Sequence, residues 1–212
     1  VFGTALVGWL AARVIHRMGA AVSEARTLGR YKLEERLGHG GMGEVWRASH
    51  ARLKRPAAIK LIDPDVLGGG NSQARDATLA RFEREAQATA DLSSPHTVTL
   101  YDYGAAEDGT LYYVMEYLQG LDLETLVERH GPVPAERATR LLIQVCDSLA
   151  EAHRQGLIHR DIKPANIFLC RLGGDSDFVK VLDFGLVKNA TSDLDDHQLT
   201  RDDALTGTPA FM

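Results

Sequence analysis

Cysteine is nearly absent from this sequence: of 212 residues only Cys146 and Cys170 carry a thiol. They lie far apart and without metal-ligand spacing, so neither a disulfide framework nor a cysteine-built metal site can be read, and a reducing, cytoplasmic setting fits. A basic excess is missing too. The formal charge of −5 leaves no electrostatic footprint for nucleic acid, which is therefore excluded as an expected partner. No apolar run is long enough to cross a membrane alone, because a span takes about 20 residues and the uncharged N-terminal run stops before Arg13. Internal repeats and low-complexity tracts are absent as well. What remains is a chain that is 44% apolar, enough for one large domain or two small lobes with real cores.

Residues 1–30 form a segment of their own, apolar first and then basic. Arg13, Arg17, Arg26 and Arg30 follow the apolar run as cations follow the inner end of a membrane span. The segment therefore reads as juxtamembrane-like, making a membrane anchor one expected partner and the inner face of the cell membrane one expected location. The plain alternative is an amphipathic segment without function.

From Tyr31 the pattern changes to short strands divided by glycine turns: Tyr31 to Leu37, Glu44 to Ala48 and Ala57 to Ile62, an antiparallel meander. Alternation puts Ala58, Lys60 and Ile62 on one face of the third strand, a small residue beside a lysine on a surface able to receive a planar ligand. A polar connection over 63–78 leads to helical spacing from Thr78 to Leu92. Strands follow at Val98 to Tyr103 and Leu111 to Glu116, with an Asp108-Gly109 turn between them. A connector over 116–120 leads to the clearest helix, Ala135 to Gln155. Its apolar positions are Ala138, Leu141, Leu142, Val145, Leu149 and Ala152, with Pro134 at its start and Gly156 at its end. Ile167 to Leu169 and Phe178 to Leu182 read as a two-stranded ribbon.

The chemistry concentrates in two stretches, His159 to Asn166 (H-R-D-I-K-P-A-N) and Asp183-Phe184-Gly185. Together they offer two carboxylates, an ammonium and an amide. Transfer of a phosphoryl group needs a residue to orient a hydroxyl, a cation near the moving group and oxygen ligands for a divalent metal. Asp161, Lys163 and the pair Asn166 with Asp183 can supply these in that order. Upstream, Gly38-His39-Gly40-Gly41-Met42-Gly43-Glu44-Val45 fits G-x-G-x-x-G-x-V. Glycine lets backbone N–H groups close over phosphate oxygens. The dinucleotide-binding fingerprint shares part of this pattern, but there the glycines must open a helix, whereas here Glu44-Val45-Trp46 favours a second strand.

Both stretches, in this order after a glycine-rich loop, resemble the eukaryotic-type (Hanks-type) serine/threonine protein kinase family. Gly-Gly-Met-Gly-Glu-Val and Arg-Glu-Ala are similar to its bacterial, receptor-type branch. The resemblance implies an α+β, bilobal fold: a small antiparallel sheet with one helix over 31–117, then a mainly helical lobe over 118–212. That second lobe is expected to be incomplete, since Gly-Thr-Pro-Ala-Phe-Met is how the family leads into an Ala-Pro-Glu triplet.

It also implies the site. ATP and Mg2+, with Mn2+ as the alternative ion, would bind beneath the loop glycines Gly38, Gly40 and Gly43. Lys60 would meet the α- and β-phosphates and pair with Glu85 of the first helix, chosen over Glu83. Leu37 and Val45 would cover the adenine, Ala58 would back it, Phe168 would underlie it and Met115 would gate the rear. The backbone of Glu116 and Leu118 would bond the purine edge, and Asp122 would meet the ribose or a basic substrate residue. Asp161 and Lys163 would be catalytic, and Asn166 and Asp183 would hold the metal. His159 and Phe184 would be scaffold. Lysine two positions after Asp161 is the serine/threonine-type arrangement, so the expected partner is a protein with a Ser or Thr acceptor. Arg160 could receive a phosphate on Thr200 or Thr206, while Thr208 would bond Asp161 and Lys163. A homodimer is a further partner the resemblance leaves open. The rivals are a pseudokinase or nucleotide-binding scaffold, and an inactive kinase fragment.

Overall fold

The computed structural model describes residues 27–40, 43–63 and 72–184. In it the alternating stretches after Thr27 pair as one antiparallel sheet. Its strands are β1 (Thr27–Leu28), β2 (Tyr31–Gly40), β3 (Gly43–His50), β4 (Pro56–Ile62), β5 (Leu100–Ala105) and β6 (Leu111–Glu116), in the order β1-β2-β3-β4-β6-β5. Helix α1 (Ser72–Ala90) is the one helix of this lobe among the described residues.

β4 is the middle of the lobe. After Pro56 all of its residues are buried, because both faces are covered. Ala58 and Ile62 join Leu111, Tyr113 and Met115 of β6 against Phe82 and Ala86 of α1. On the opposite face Ala57, Ile59 and Leu61 join Tyr112 and Val114 beneath Leu28, Tyr31 and Leu33. Lys60 is thus carried on the α1-facing side, with Val45 beside it on β3 and Tyr113 beside it on β6.

β2 behaves differently along its length. Tyr31 and Leu33 are buried and everything from Glu34 to Gly40 is exposed, while register shifts after Leu33 and Arg36 increase its twist. The exposed half arches away as a roof. The return through β3 depends on Gly43, whose φ is +127° and where a Cβ would stand 1.9 Å from the Leu61 carbonyl oxygen.

The second part holds β7 (Gly120–Asp122), α2 (Leu123–His130), α3 (Ala135–Arg154), a 3₁₀ turn (Pro164–Asn166), β8 (Ile167–Leu172) and β9 (Asp175–Val181). The expected ribbon is therefore a three-stranded sheet, β7-β8-β9. Gly120 makes the extra strand possible, because a Cβ there would meet Leu169 O at 1.9 Å. Beneath the sheet Leu141, Val145 and Ala152 of α3 pack with Ile167, Leu169, Val179, Val181 and Phe184.

Several boundaries differ from the sequence reading. α1 begins at Ser72, six residues before Thr78, so the connection over 63–78 is shorter than expected. β5 begins at Leu100 rather than Val98, because the Val98 N–H is taken by Val181 O at 3.0 Å. Leu142 is 52% exposed and does not share the buried stripe of α3. The two-lobed α+β arrangement itself is as expected, and no helix among the described residues is long and apolar enough to cross a membrane.

The lobes are joined by polar contacts around residues 93–99. Glu151 of α3 accepts the Ser93 hydroxyl at 2.6 Å and the N–H groups of Ser93 and Ser94 at 2.9 and 2.6 Å. Thr97 and Ser148 share a buried hydroxyl bond of 2.7 Å. Lys180 of β9 reaches Glu116 Oε1 at 2.6 Å and Thr97 O at 3.1 Å.

Candidate active site

Between the roof of β2 and the second sheet lies a cleft of about 1220 Å³. Leu37, Gly38, Gly40, Gly43 and Val45 form its roof, and Ala58, Lys60 and Met115 its back. Glu116 and Leu118 run along its edge, Phe168 lies at its floor, and Asp122, Asp161, Lys163, Asn166 and Asp183 also line it. Of the residues expected to bind the nucleotide or the metal or to be catalytic, all but Glu85 line this cleft.

The cleft has a deep charged cluster. Lys60, 7% exposed, places Nζ 2.7 Å from Asp183 Oδ2, and the Tyr113 hydroxyl donates to Asp183 Oδ1 at 2.6 Å. Burial alone would raise the Asp183 carboxyl, but the attraction of Lys60 and the hydrogen bonds from Lys60 and Tyr113 outweigh it and hold the group below its ordinary range. Burial, and then the Asp183 charge, push the Tyr113 phenol well above its ordinary value. Asp183 carries φ +57°, a left-handed backbone unusual for a non-glycine residue.

A second cluster lies in the loop His159 to Asn166. Asp161, 7% exposed, has Oδ2 3.0 Å from Lys163 Nζ. Asn166, held by the 3₁₀ turn, donates its amide nitrogen to Asp161 O at 2.8 Å and to Oδ2 at 3.2 Å. With that nitrogen committed, the end of the Asn166 amide that can meet a cation is its carbonyl oxygen. His159 braces the loop. Its Nδ1 accepts the Asp161 N–H at 3.3 Å, so the proton is on Nε2, which donates to Leu182 O at 2.7 Å. The ring packs at a tilt against Phe184, with centroids 4.7 Å apart, and burial lowers its basicity. These contacts leave His159 neutral and structural. Arg160 next to it has φ +61°.

Two of the expected residues make contacts the sequence reading did not foresee. Glu85 is half-buried on α1, while Glu83 is exposed, yet the carboxylate that Lys60 pairs with is Asp183; the left-handed turn at Asp183 brings its side chain up to β4. Asp122 caps α2. Oδ1 accepts Thr125 N–H and Oδ2 accepts the Thr125 hydroxyl, both at 2.7 Å, so its carboxylate is engaged locally.

Tyr113 went unread in the sequence, although its place two residues before Met115 on β6 puts it on the same face. Val98, Ala165, Gln119 and Leu182 also line the cleft unforeseen. Gly41, Gly185, Thr200, Thr206, Thr208 and residues 1–26 lie outside the described residues.

The chain's own residues fit a nucleotide and a divalent cation. A Cβ added at Gly38 or Gly40 would meet nothing within 4 Å, so the protein's own packing does not require glycine there and the space faces the cleft. Asn166 and Asp183 supply oxygen donors without sulfur or imidazole, a set that suits a hard divalent cation.

A glycine-roofed cleft between a small sheet and a more helical lobe, with a lysine, two aspartates and an asparagine converging in it, defines a protein kinase. Residues 31–212 match the family model described as the protein kinase domain, and the chain belongs to that family. It is 40% identical over 183 residues to serine/threonine-protein kinase pkn3 of Myxococcus xanthus, covering 86% of this chain and 32% of that protein. It is also 40% identical over 187 residues to PknB of Mycolicibacterium smegmatis, covering 86% of this chain and 28% of that protein. The chain thus spans about a third or less of these relatives. Among solved structures it is similar to the Mycobacterium tuberculosis PknI kinase domain, with a TM-score of 0.65 and 29% identity over 78% of this chain and 62% of that one. It is likewise similar to the apo form of PpkA-294, with a TM-score of 0.69 and 26% identity over 84% of this chain and 66% of that one. These relatives agree with the bacterial Hanks-type branch expected from the motifs. Membership implies ATP, a divalent metal ion and a protein substrate.

Proposed function

We propose that the protein transfers the γ-phosphoryl group of ATP to serine or threonine hydroxyls of protein substrates, Thr200 or Thr206 of its own chain among them. The observation that carries this reading is the convergence of Lys60, Asp161, Lys163, Asn166 and Asp183 on one cleft beneath Gly38 and Gly40.

In this mechanism Asp161 accepts the hydrogen bond of the incoming hydroxyl, aligns its oxygen, and takes its proton late in transfer. Asn166 keeps the Asp161 side chain in place. Lys163, within an ion pair of Asp161, offsets negative charge on the transferring group. Lys60 turns from Asp183 towards the α- and β-phosphates. Mg2+ is the proposed ion, with Mn2+ able to replace it; Asn166 and Asp183 would hold it, and it would offset the negative charge of the phosphates. Leu37, Val45, Ala58, Met115 and Phe168 enclose the adenine, and the backbone at Glu116 and Leu118 bonds its edge. The lobe boundary falls at residues 117 and 118. Tethering through residues 1–30 at the inner face of the cell membrane, and pairing with a second copy, belong to the same proposal and rest on the sequence alone.

Asp161→Asn keeps size and shape but removes the proton acceptor. Phosphate incorporation into a Ser/Thr peptide should fall by about 10²- to 10⁴-fold, with ATP binding unchanged by fluorescence titration. Full incorporation by the variant would overturn the assignment. Wild-type protein that binds ATP without transferring phosphate would be a scaffold instead.

A further inference from the structure

Tyr113 is a buried phenol for which the mechanism above has no use. It is 2% exposed, and a tyrosine so enclosed needs a partner for its hydroxyl. A nearby backbone carbonyl would suffice. The partner is instead Asp183 Oδ1, at 2.6 Å and 70 residues away in sequence.

The surrounding geometry is specific. Tyr113 stands beside Lys60 across the β4–β6 ladder, with Lys60 Nζ 5.9 Å from the centre of its ring. The two residues therefore approach Asp183 from adjacent strands and take one oxygen each, Lys60 on Oδ2 and Tyr113 on Oδ1. A carboxylate has about four acceptor positions, so both contacts leave it able to accept further ones.

The two anchors are not equivalent. Lys60 lines the cleft and is a cation that phosphate oxygens attract. Tyr113 is neutral and enclosed by the α1-facing core. Once Lys60 turns to a nucleotide, the Tyr113 hydroxyl is the contact that stays with the carboxylate.

We infer that Tyr113 is a positioning residue for the cation site: its hydroxyl fixes the Asp183 side chain so that the carboxylate presents the same oxygen to the metal whether or not Lys60 is engaged elsewhere. This rests on the reading of Asp183 as a metal ligand. Partners that orient a ligand in this way commonly change metal affinity by about tenfold or more when removed.

Tyr113→Phe deletes the hydroxyl and retains the ring, so the core contacts persist. The full chain is saturated with a non-hydrolysable ATP analogue and titrated with Mn2+, free Mn2+ being read by electron paramagnetic resonance. Binding of the same analogue in EDTA is measured in parallel as a check on the fold and the nucleotide pocket. Mn2+ affinity in Tyr113→Phe should fall by about tenfold, with metal-free binding unchanged. Unaltered or tighter Mn2+ binding would overturn the inference, and so would an equal loss with and without metal, which marks a packing role. Asp183→Asn separates the two levels. If it weakens Mn2+ binding while Tyr113→Phe does not, only the tyrosine's role fails; if Asp183→Asn has no effect, the ligand reading of Asp183 fails first.

Discussion

The two charged clusters that line the cleft are built in opposite ways. Asp161, Lys163 and Asn166 come from one loop, and their mutual contacts span two to five positions of sequence. Lys60, Tyr113 and Asp183 come from two strands of one lobe and a turn of the other, with bonds joining residues 70 and 123 positions apart. The loop cluster is set mainly by its own backbone and the brace of His159. The deep cluster exists only while the two lobes are docked. Electrostatic damage to the deep cluster should therefore reach fold stability, while equivalent damage to the loop cluster should stay within the chemistry.

The largest test of that contrast compares two lysine removals. Lys60→Met takes the cation from a pair in which Lys60 side-chain exposure is 9% and that of Asp183 is 27%. Breaking such a pair leaves a carboxylate with reduced compensation, at about 3 kcal/mol, and phosphotransfer should fall by about 10²-fold or more. Lys163→Met should cut turnover comparably, yet stability should change less, because the contacts of that pair lie within one loop, do not hold the lobes together, and leave Asp161 its bond from the Asn166 amide. Denaturant unfolding of both variants checks this. Equal destabilisation would erase the distinction between the clusters.

The same contrast governs what could be read from the sequence. Asp161, Lys163 and Asn166 were legible as a group because a loop of eight residues carries their spacing, and strand alternation placed Ala58, Lys60 and Ile62 on one face. The partner of Lys60 was not. A helical carboxylate at Glu85 satisfied the pattern, but the decisive facts, the positive φ of Asp183 and the depth of Tyr113, arise only when β4, β6 and the turn after β9 come together. Asp122 shows another limit: a carboxylate ahead of a helix has the residue type of both a cap and a ligand, and sequence alone does not rank them. Gly43 makes the point for backbone, since its glycine is required by Leu61 O rather than by phosphate.

Glu151 sharpens the comparison because it docks the lobes without entering the cleft. The Ser93 hydroxyl bond, opposed by burial and aided by the N–H groups of Ser93 and Ser94, holds its carboxyl below the ordinary glutamate range. A lowered folded value means that this stabilisation is complete above the unfolded pKa of about 4.3 and drains away as pH falls through the folded value. Glu151→Gln should lower stability by about 2 kcal/mol near neutral pH and flatten the acid side of the stability profile. A variant whose pH profile overlays the wild type would show that the serine bonds contribute nothing to docking. The deep cluster should loosen with this variant, so KM for ATP should rise more than kcat falls.

Asp122 offers the smallest effect and asks which of its two roles the fold uses. α2 has only eight residues, with Leu123 and Leu126 half-buried against the core, and a helix so short depends on its cap as well as on that packing. Both oxygens of Asp122 are bonded to Thr125. Asp122→Ala should therefore cost about 1 kcal/mol, read as a lower Tm, while Asp122→Ser keeps a capping oxygen and should recover most of that loss. A ribose contact would respond differently: a serine too short to span the cleft would restore the helix but not the nucleotide. KM for ATP that stays at the wild-type value in Asp122→Ser identifies the residue as a cap that happens to line the cleft, whereas a raised KM in a variant of normal Tm would return it to the nucleotide site.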